Sequence, residues 1–505
     1  MMNITLHGTN YIGCKTSKKG IDTFHAINPK TGEKSELEYH TATEIEVDTS
    51  CKLASKAFND FRKINDEKRA KFLDKISEEI LNLNEKLLQV ADWETGLGIS
   101  RLTNERERTR NQILLFADVI RNGQYKEIST DYQDPQNKLE RMLIPIGPVA
   151  VFEVSNFPFA FGVCGGDTVS ALAAGCPVVV KGHPSHPQTS ELFAIAMKKA
   201  VEKVGFPKGI FSLLHGNTNV PGMNLVGHPD IKAVGFTGSV RAGRSLFNIA
   251  AARSSPIPVY AEMGSVNPVF ITQSAINARS DQMAEQFAES IALSAGQFCT
   301  KPGIFFFPSS EESVCFLKKI AELMKKKKIQ SLLNKNIYDS LMKGTSELTS
   351  IDGVELIAGG KIGDKPISLQ NTMVKTDIST YCKEDRLKKE YFGPLALFVE
   401  CDSQQQYLEI VDGFHGELTG TIHMEKEDYN GVKILFDRLS EKVGRIIING
   451  VPTGVKVSHA MNHGGPYPAT TSVSHTSVGT TAIRRFLRPI CYQNVPEDFL
   501  YDFSK

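Results

Sequence analysis

The sequence predicts an α/β protein built on an open, doubly wound parallel sheet, and three observations predict it. Across residues 142–270, short apolar runs alternate with amphipathic stretches. The loops between them are short, so successive runs read as strand, crossover helix and parallel strand. The polar residues that stand out in this region follow the apolar runs, at strand carboxyl ends, where open α/β sheets hold their ligands.

Ahead of this region, residues 48–117 are helical in pattern. Leu53, Ala57, Phe58 and Phe61, then Phe72, Ile76, Ile80 and Leu83, recur at three- and four-residue steps between charged side chains. Val149-Ala150-Val151-Phe152 is the first strand of the sheet, followed by Asn156. A helix over 166–174 is closed by Gly175, because glycine takes the left-handed turn that ends helices without a steric penalty. Residues 177–180 form a buried strand that runs into Lys181. A helix over 188–203, stopped by Gly205 and Pro207, leads to strands at 211–214 and 233–236, the latter running into Gly238. A helix over 243–252 follows, then strands at 258–262 and 268–272. Next come a long helix over 281–294, the loop holding Cys299, the apolar run Ile304-Phe305-Phe306-Phe307, and a second mixed α/β region ending near Asn449. The tail over 484–496 reads as an edge strand that pairs between subunits or as a simple terminal strand.

Composition narrows the function classes. At 505 residues the chain has room for several domains or one large composite unit. Hydrophobic residues at 41% and charged residues at 23% exclude a disordered, fibrous or membrane-spanning class. With 58 basic against 57 acidic residues, the net charge of +1 gives no field to gather nucleic acid or an anionic bilayer. The N-terminal stretch Met1-Met2-Asn3-Ile4-Thr5-Leu6-His7 lacks the basic start and apolar core of a secretory signal, so a cytoplasmic location is expected. Nine cysteines without short paired spacings read as reduced thiols, and no metal is expected.

Individual residues carry two readings each. Cys299 is either one more buried thiol or a nucleophile in a loop whose amides stabilise a thiolate. Glu262 is a strand-end surface carboxylate, or a base whose pKa is raised toward neutrality by apolar neighbours. Asn156 holds the turn before Pro158, or aims an amide donor at an oxyanion. Lys181 caps its strand, or meets a phosphate or ribose. Gly238 and Ser239, in Phe236-Thr237-Gly238-Ser239, sit where a helix N-terminus can receive pyrophosphate, although the usual dinucleotide fingerprint does not occur there.

Read together and in order, these segments resemble the aldehyde dehydrogenase superfamily across essentially the whole chain. Ser155-Asn156-Phe157-Pro158, Val180-Lys181, Phe236-Thr237-Gly238-Ser239, Glu262-Met263-Gly264, Gly296-Gln297-Phe298-Cys299 and Glu390-Tyr391-Phe392-Gly393-Pro394 are similar to six of its motifs. The resemblance implies the aldehyde dehydrogenase fold. That means a Rossmann-like cofactor domain over 1–129 and 148–259, an α/β catalytic domain over 260–460, and a small β oligomerisation element from 130–147 and 484–505. It implies a homodimer or homotetramer acting on a small aldehyde with NADP+ or NAD+. By resemblance Cys299 is the nucleophile, Asn156 the oxyanion donor and Glu262 the base. Lys181, Gly238, Ser239, Glu390 and Phe392 would bind cofactor, and Phe157, Ala160 and Cys164 would line the substrate tunnel.

Within the superfamily, His463-Gly464-Gly465-Pro466-Tyr467-Pro468-Ala469-Thr470 and Arg484-Arg485-Phe486-Leu487-Arg488-Pro489 resemble the 2-oxoglutarate semialdehyde (2,5-dioxopentanoate) dehydrogenases. NADP-linked fatty aldehyde dehydrogenases are also similar. Arg101, Arg106 and Arg108 are candidates for a substrate carboxylate, with Arg108 taken as the leading one. Many NAD-using relatives carry a glutamate three positions after the cofactor lysine, where this chain has Pro184. Without that carboxylate a 2′-phosphate is not repelled, so NADP+ is tolerated and preferred use of it is open. The rival readings are a CoA-acylating enzyme, which Glu262 argues against, and a catalytically silent protein on the same fold.

Overall fold

The computed structural model describes residues 4–134, 136–496 and 499. Residues 1–3 of the N-terminal stretch, Pro135, and 497, 498 and 500–505 of the expected oligomerisation element lie outside the described residues.

Five parallel strands form the centre of the first sheet, in the order Val259–Glu262, Ala233–Thr237, Val149–Phe152, Val178–Lys181 and Phe211–Leu214. The chain order reverses between Val149–Phe152 and Ala233–Thr237, which opens a crevice at their carboxyl ends. Asn156 and Gly238 follow those two strands. Side chains alternate across the sheet: Val149, Val151, Val178 and Val180 join one core, and Ala150, Val179 and Val234 join the core on the other face. The helical opening resolves into four helices, Glu44–Phe61, Asp66–Leu81, Asn84–Thr95 and Ile99–Arg121. Phe61, Phe72, Ile76 and Ile113 share the first of those cores.

The N-terminal strands carry too little apolar pattern to be read from sequence. Asn10–Ile12 adds antiparallel to Phe211–Leu214, and Lys15–Ser17 continues the edge. Thr23–Ile27 pairs with Lys34–His40 in a separate hairpin.

A second seven-stranded sheet follows at once from the first. Its parallel strands run Thr372–Asp377, Leu395–Cys401, Ile304–Pro308, Val269–Ile271, Glu417–His423 and Val443–Ile448, with Glu355–Ala358 antiparallel at one edge. Phe270, Phe306 and Leu397 face one core, and Phe305, Phe307 and Phe398 the other. Glu262 ends the first sheet and Val269 opens the second, so the carboxyl edge of one meets the amino edge of the other.

Two helix boundaries shift from the sequence reading for capping reasons. The helix expected from 243 begins at Val240, because Ser239 Oγ accepts from the Ala242 N–H at 3.3 Å. The helix expected over 281–294 spans Gln273–Ala292, starting after the Thr272 cap. The tail strand Leu487–Gln493 pairs antiparallel with Leu139–Pro145 of the same chain, in a three-stranded sheet completed by Ser129–Asp131.

Candidate active site

The Cys299 loop is shaped by backbone that few residues adopt. After Ala292 the chain turns through Ser294, Ala295 and Gly296, all left-handed at φ 50°, 55° and 64°. Two of these carry side chains, so the turn is strained and held by its surroundings. Gly296 cannot be replaced without movement, since a Cβ there would stand 2.2 Å from the Gly393 carbonyl oxygen. This close approach locks the Cys299 loop against the Glu390–Pro394 loop. Asn267 fixes the other side, its Nδ2 donating to the carbonyls of Cys299 at 2.8 Å and Lys301 at 3.0 Å.

Where the two sheets meet, Cys299, Glu262 and His463 converge. Cys299 Sγ lies 3.4 Å from His463 Nε2, and Nε2 lies 3.0 Å from Glu262 Oε1, both latter side chains being 2% exposed. Ser477 Oγ donates to Glu262 Oε2 at 2.5 Å. Burial and the Glu262 carboxylate push the Cys299 thiol well above its ordinary pKa. For Glu262, burial acts upward, but the charge of His463 and hydrogen bonds from His463, Ser477 and Cys299 outweigh it and lower the pKa. The expected upward shift of Glu262 is therefore corrected: its neighbours are donors rather than apolar groups. It is also no surface carboxylate.

Asn156 stands on the opposite wall, with Nδ2 donating to the Gln297 carbonyl at 2.9 Å. An amide nitrogen carries two hydrogens, so one N–H remains for a further acceptor in the site.

From Cys299 a cleft of about 1490 Å³ runs along the carboxyl edge of the first sheet, lined by Asn156, Gly238, Ser239, Glu390 and Phe392 among others. The helix Val240–Ala251 opens into it with no acidic residue in its first turn, which suits a phosphate. Glu390 lies so close to Gly264 that a Cβ there would be 2.4 Å from its Oε2. Burial raises the Glu390 pKa to about 7, against the lowering effect of Lys301. Lys301 is itself buried and donates to the Tyr391 and Leu395 carbonyls at 3.0 and 2.6 Å. Amides at a helix N-terminus, the Glu390 carboxylate and the Phe392 ring together fit a dinucleotide.

Several expected residues fall elsewhere. Lys181 is buried, and its Nζ donates to the Gly182 and Gly216 carbonyls at 2.7 Å each, which uses two of its three N–H groups. Cys164 does not line a tunnel. It is fully buried in the core, with Sγ facing the Phe193 carbonyl at 4.0 Å. Ala160 is likewise buried, its N–H donating to Glu105 at 3.0 Å. Phe157 packs edge-on against Phe298 at 5.1 Å, beside the nucleophile. Arg108 lies 5.7 Å over the Phe161 ring, whereas Arg106 pairs with Glu107 at 3.3 Å.

His463 stands at the centre of this cluster, a place that sequence reading had not assigned to it. The signal lay in its two following glycines: a Cβ on Gly465 would meet the Glu417 carbonyl oxygen at 2.2 Å, which marks a segment pressed into the core.

Comparison with known proteins bears on this arrangement. A model of the aldehyde dehydrogenase family matches residues 15–488. Alpha-ketoglutaric semialdehyde dehydrogenase 2 of Azospirillum brasilense is 41% identical over 502 residues, covering 98% of this chain and 96% of the relative. Alpha-ketoglutaric semialdehyde dehydrogenase of Acinetobacter baylyi is 39% identical over 506 residues, covering 99% and 96%. Among solved structures, betaine aldehyde dehydrogenase of Staphylococcus aureus in complex with NAD+ shares the fold with a TM-score of 0.84 at 20% identity, covering 97% of this chain and 96% of that one. A 1-pyrroline-5-carboxylate dehydrogenase does so with a TM-score of 0.84 at 18% identity, covering 97% and 93%.

Proposed function

Because the chain belongs to the aldehyde dehydrogenase family, whose members oxidise aldehydes with NAD(P)+, we propose that it converts 2-oxoglutarate semialdehyde to 2-oxoglutarate in the cytoplasm. The observation that carries the reading is the Cys299 sulfur within 3.4 Å of an imidazole at the end of the large cleft. The substrate assignment is supported by the two relatives of that name, similar over nearly the full chain.

At rest Cys299 is a thiol, since burial and Glu262 disfavour its anion. The thiol faces both Glu262 and His463, so its proton passes to this carboxylate–imidazole pair, which shares it. The thiolate attacks the aldehyde carbon, and the oxyanion is held by the free N–H of Asn156 and the Cys299 amide. The nicotinamide of bound NAD(P)+ supplies the hydride acceptor. Gly238, Ser239, Glu390 and Phe392 would hold that cofactor, with Lys181 behind them. Collapse of the thiohemiacetal leaves a thioester on Cys299. Glu262, kept ionised by its donors, then takes a proton from water, whose oxygen attacks the thioester and releases the sulfur.

The domain division expected above and assembly into a homodimer or homotetramer remain part of the proposal. Assembly is supported by the small antiparallel sheet of Ser129–Asp131, Leu139–Pro145 and Leu487–Gln493. No helix among the described residues is long and apolar enough to cross a membrane.

The test is a panel of 2,5-dioxopentanoate, succinic semialdehyde, glutaraldehyde, glycolaldehyde and a long-chain aldehyde, with each cofactor and with and without CoA. The highest kcat/KM is expected for 2,5-dioxopentanoate without CoA. Preference for the long alkyl chain would replace this reading with the fatty aldehyde one.

A further inference from the structure

The proposed substrate carries a carboxylate at the end remote from its aldehyde, and three arginines reach Asn156 or Cys299 by contact or by charge: Arg101, Arg108 and Arg445. Arg101 is held by its surroundings on most sides, with only Nη1 buried and without an acceptor. Its Nη2 donates to the Asn156 carbonyl at 2.6 Å, its guanidinium lies 5.0 Å over Phe157 and 5.3 Å over Phe298, and Glu105 stands 4.0 Å away.

Arg108 and Arg445 differ from it in reaching the same loop and in having no ion-pair partner like Glu105. Arg108, on helix Ile99–Arg121, makes one long contact, from Nη2 to the Val455 carbonyl at 3.5 Å. Arg445, on strand Val443–Ile448, donates to the Gly454 carbonyl at 3.2 Å and the Pro452 carbonyl at 2.6 Å. Two arginines from distant parts of the chain thus meet at one short loop, residues 452–455. Among the described residues, neither has a carboxylate within ion-pairing distance, although Arg106 and Arg110 beside them both pair with Glu107. Arg108 Nη1 and Arg445 Nε are buried and have no protein acceptor. A buried cationic donor without an acceptor is costly, and two of them around one loop call for an anion.

Their field reaches the nucleophile. Burial lowers the pKa of Arg445 and raises that of the Cys299 thiol, and in each case the arginine–thiolate attraction opposes the shift: Cys299 acts on Arg445, and Arg108 acts on Cys299. The phenylalanines continue the link. Arg108 covers Phe161, Phe161 packs on Phe157, and Phe157 packs on Phe298, the neighbour of Cys299.

Resting on the function proposed above, we propose that Arg445 and Arg108 together form the subsite for the carboxylate of the aldehyde substrate. Their planar forks offer directed donors to its two oxygens, and the phenylalanine wall excludes water from the carbon chain between. A long alkyl chain would leave both guanidiniums without an acceptor, so the same pair selects against fatty aldehydes.

The test compares kcat/KM for 2,5-dioxopentanoate with kcat/KM for pentanal, in the unaltered enzyme and in Arg445→Gln, Arg108→Gln and Arg445→Lys. Glutamine keeps an N–H for the loop carbonyls and removes the charge. The ratio cancels any general effect on Cys299 or on folding. Each glutamine variant is expected to lower the ratio about 10- to 100-fold, the span of one charge-assisted contact, and Arg445→Lys is expected to recover part of it. Glutarate, used as a probe, is expected to compete with 2,5-dioxopentanoate and to lose affinity in both glutamine variants. An unchanged ratio in both would overturn the subsite while leaving the proposed function standing. If the unaltered enzyme prefers pentanal to every carboxylate-bearing aldehyde, the proposed function itself fails.

Discussion

Nε2 of His463 stands 3.4 Å from the sulfur of Cys299, across 164 residues of sequence. Glu262 Oε1 lies 3.0 Å from the same nitrogen, and the three side chains form one compact cluster. The Glu262–His463 pair can take the thiol proton on attack and return it when the sulfur leaves.

His463→Gln is expected to slow alkylation of Cys299 by iodoacetamide roughly 100-fold at neutral pH, the usual scale for losing a general base. The thiol pKa is raised, so the thiolate fraction grows as pH increases. Raising the pH should therefore restore much of the alkylation rate in this variant. Equal rates in the two proteins at neutral pH would remove His463 from the proton's path.

Cofactor affinity is expected to fall on the acid side. Glu390 ionises at about 7 because burial raises it, and as an acceptor for ribose hydroxyls it works in its ionised form. Affinity is thus fully present above that value and declines as pH drops through it. Fluorescence titration of NADPH across the range should show the decline, and Glu390→Gln should flatten it. A pH-independent Kd in the unaltered protein would contradict the assignment.

Pro184 lines the cleft in place of a carboxylate. Pro184→Glu is expected to raise the Kd for NADP+ at least about tenfold, through like-charge repulsion, while NAD+ affinity changes much less. Equal effects on both cofactors would show that the 2′-phosphate lies elsewhere.

Much of this was legible in the sequence, for identifiable reasons. Val178, Val179 and Val180 announce a strand buried on both faces, and Gly175 and Gly205 mark helix ends by the left-handed turn only glycine enters freely. Asn156, Glu262 and Cys299 sit beside such elements, and the resemblance of their ordered motifs to the aldehyde dehydrogenases is what joined them into one candidate site. Side-chain direction was less legible. Lys181 follows its strand as expected, yet its Nζ is satisfied by two carbonyls from separate loops. Cys164 lies near the Asn156 turn in sequence but points into the core toward Phe193. His463 and Arg445 reach the site only through the second sheet and its connections. No local periodicity reports such contacts, because they depend on how two sheet edges meet.

The central claim is that Cys299 carries the acyl group and Glu262 releases it. The direct measurement is rapid-quench mass spectrometry of Glu262→Gln mixed with NADP+ and 2,5-dioxopentanoate. A single burst of NADPH is predicted, with the peptide containing Cys299 carrying the acyl mass while steady turnover is slowed roughly 100-fold or more. A burst without mass on that peptide, or steady turnover at the unaltered rate, would contradict it.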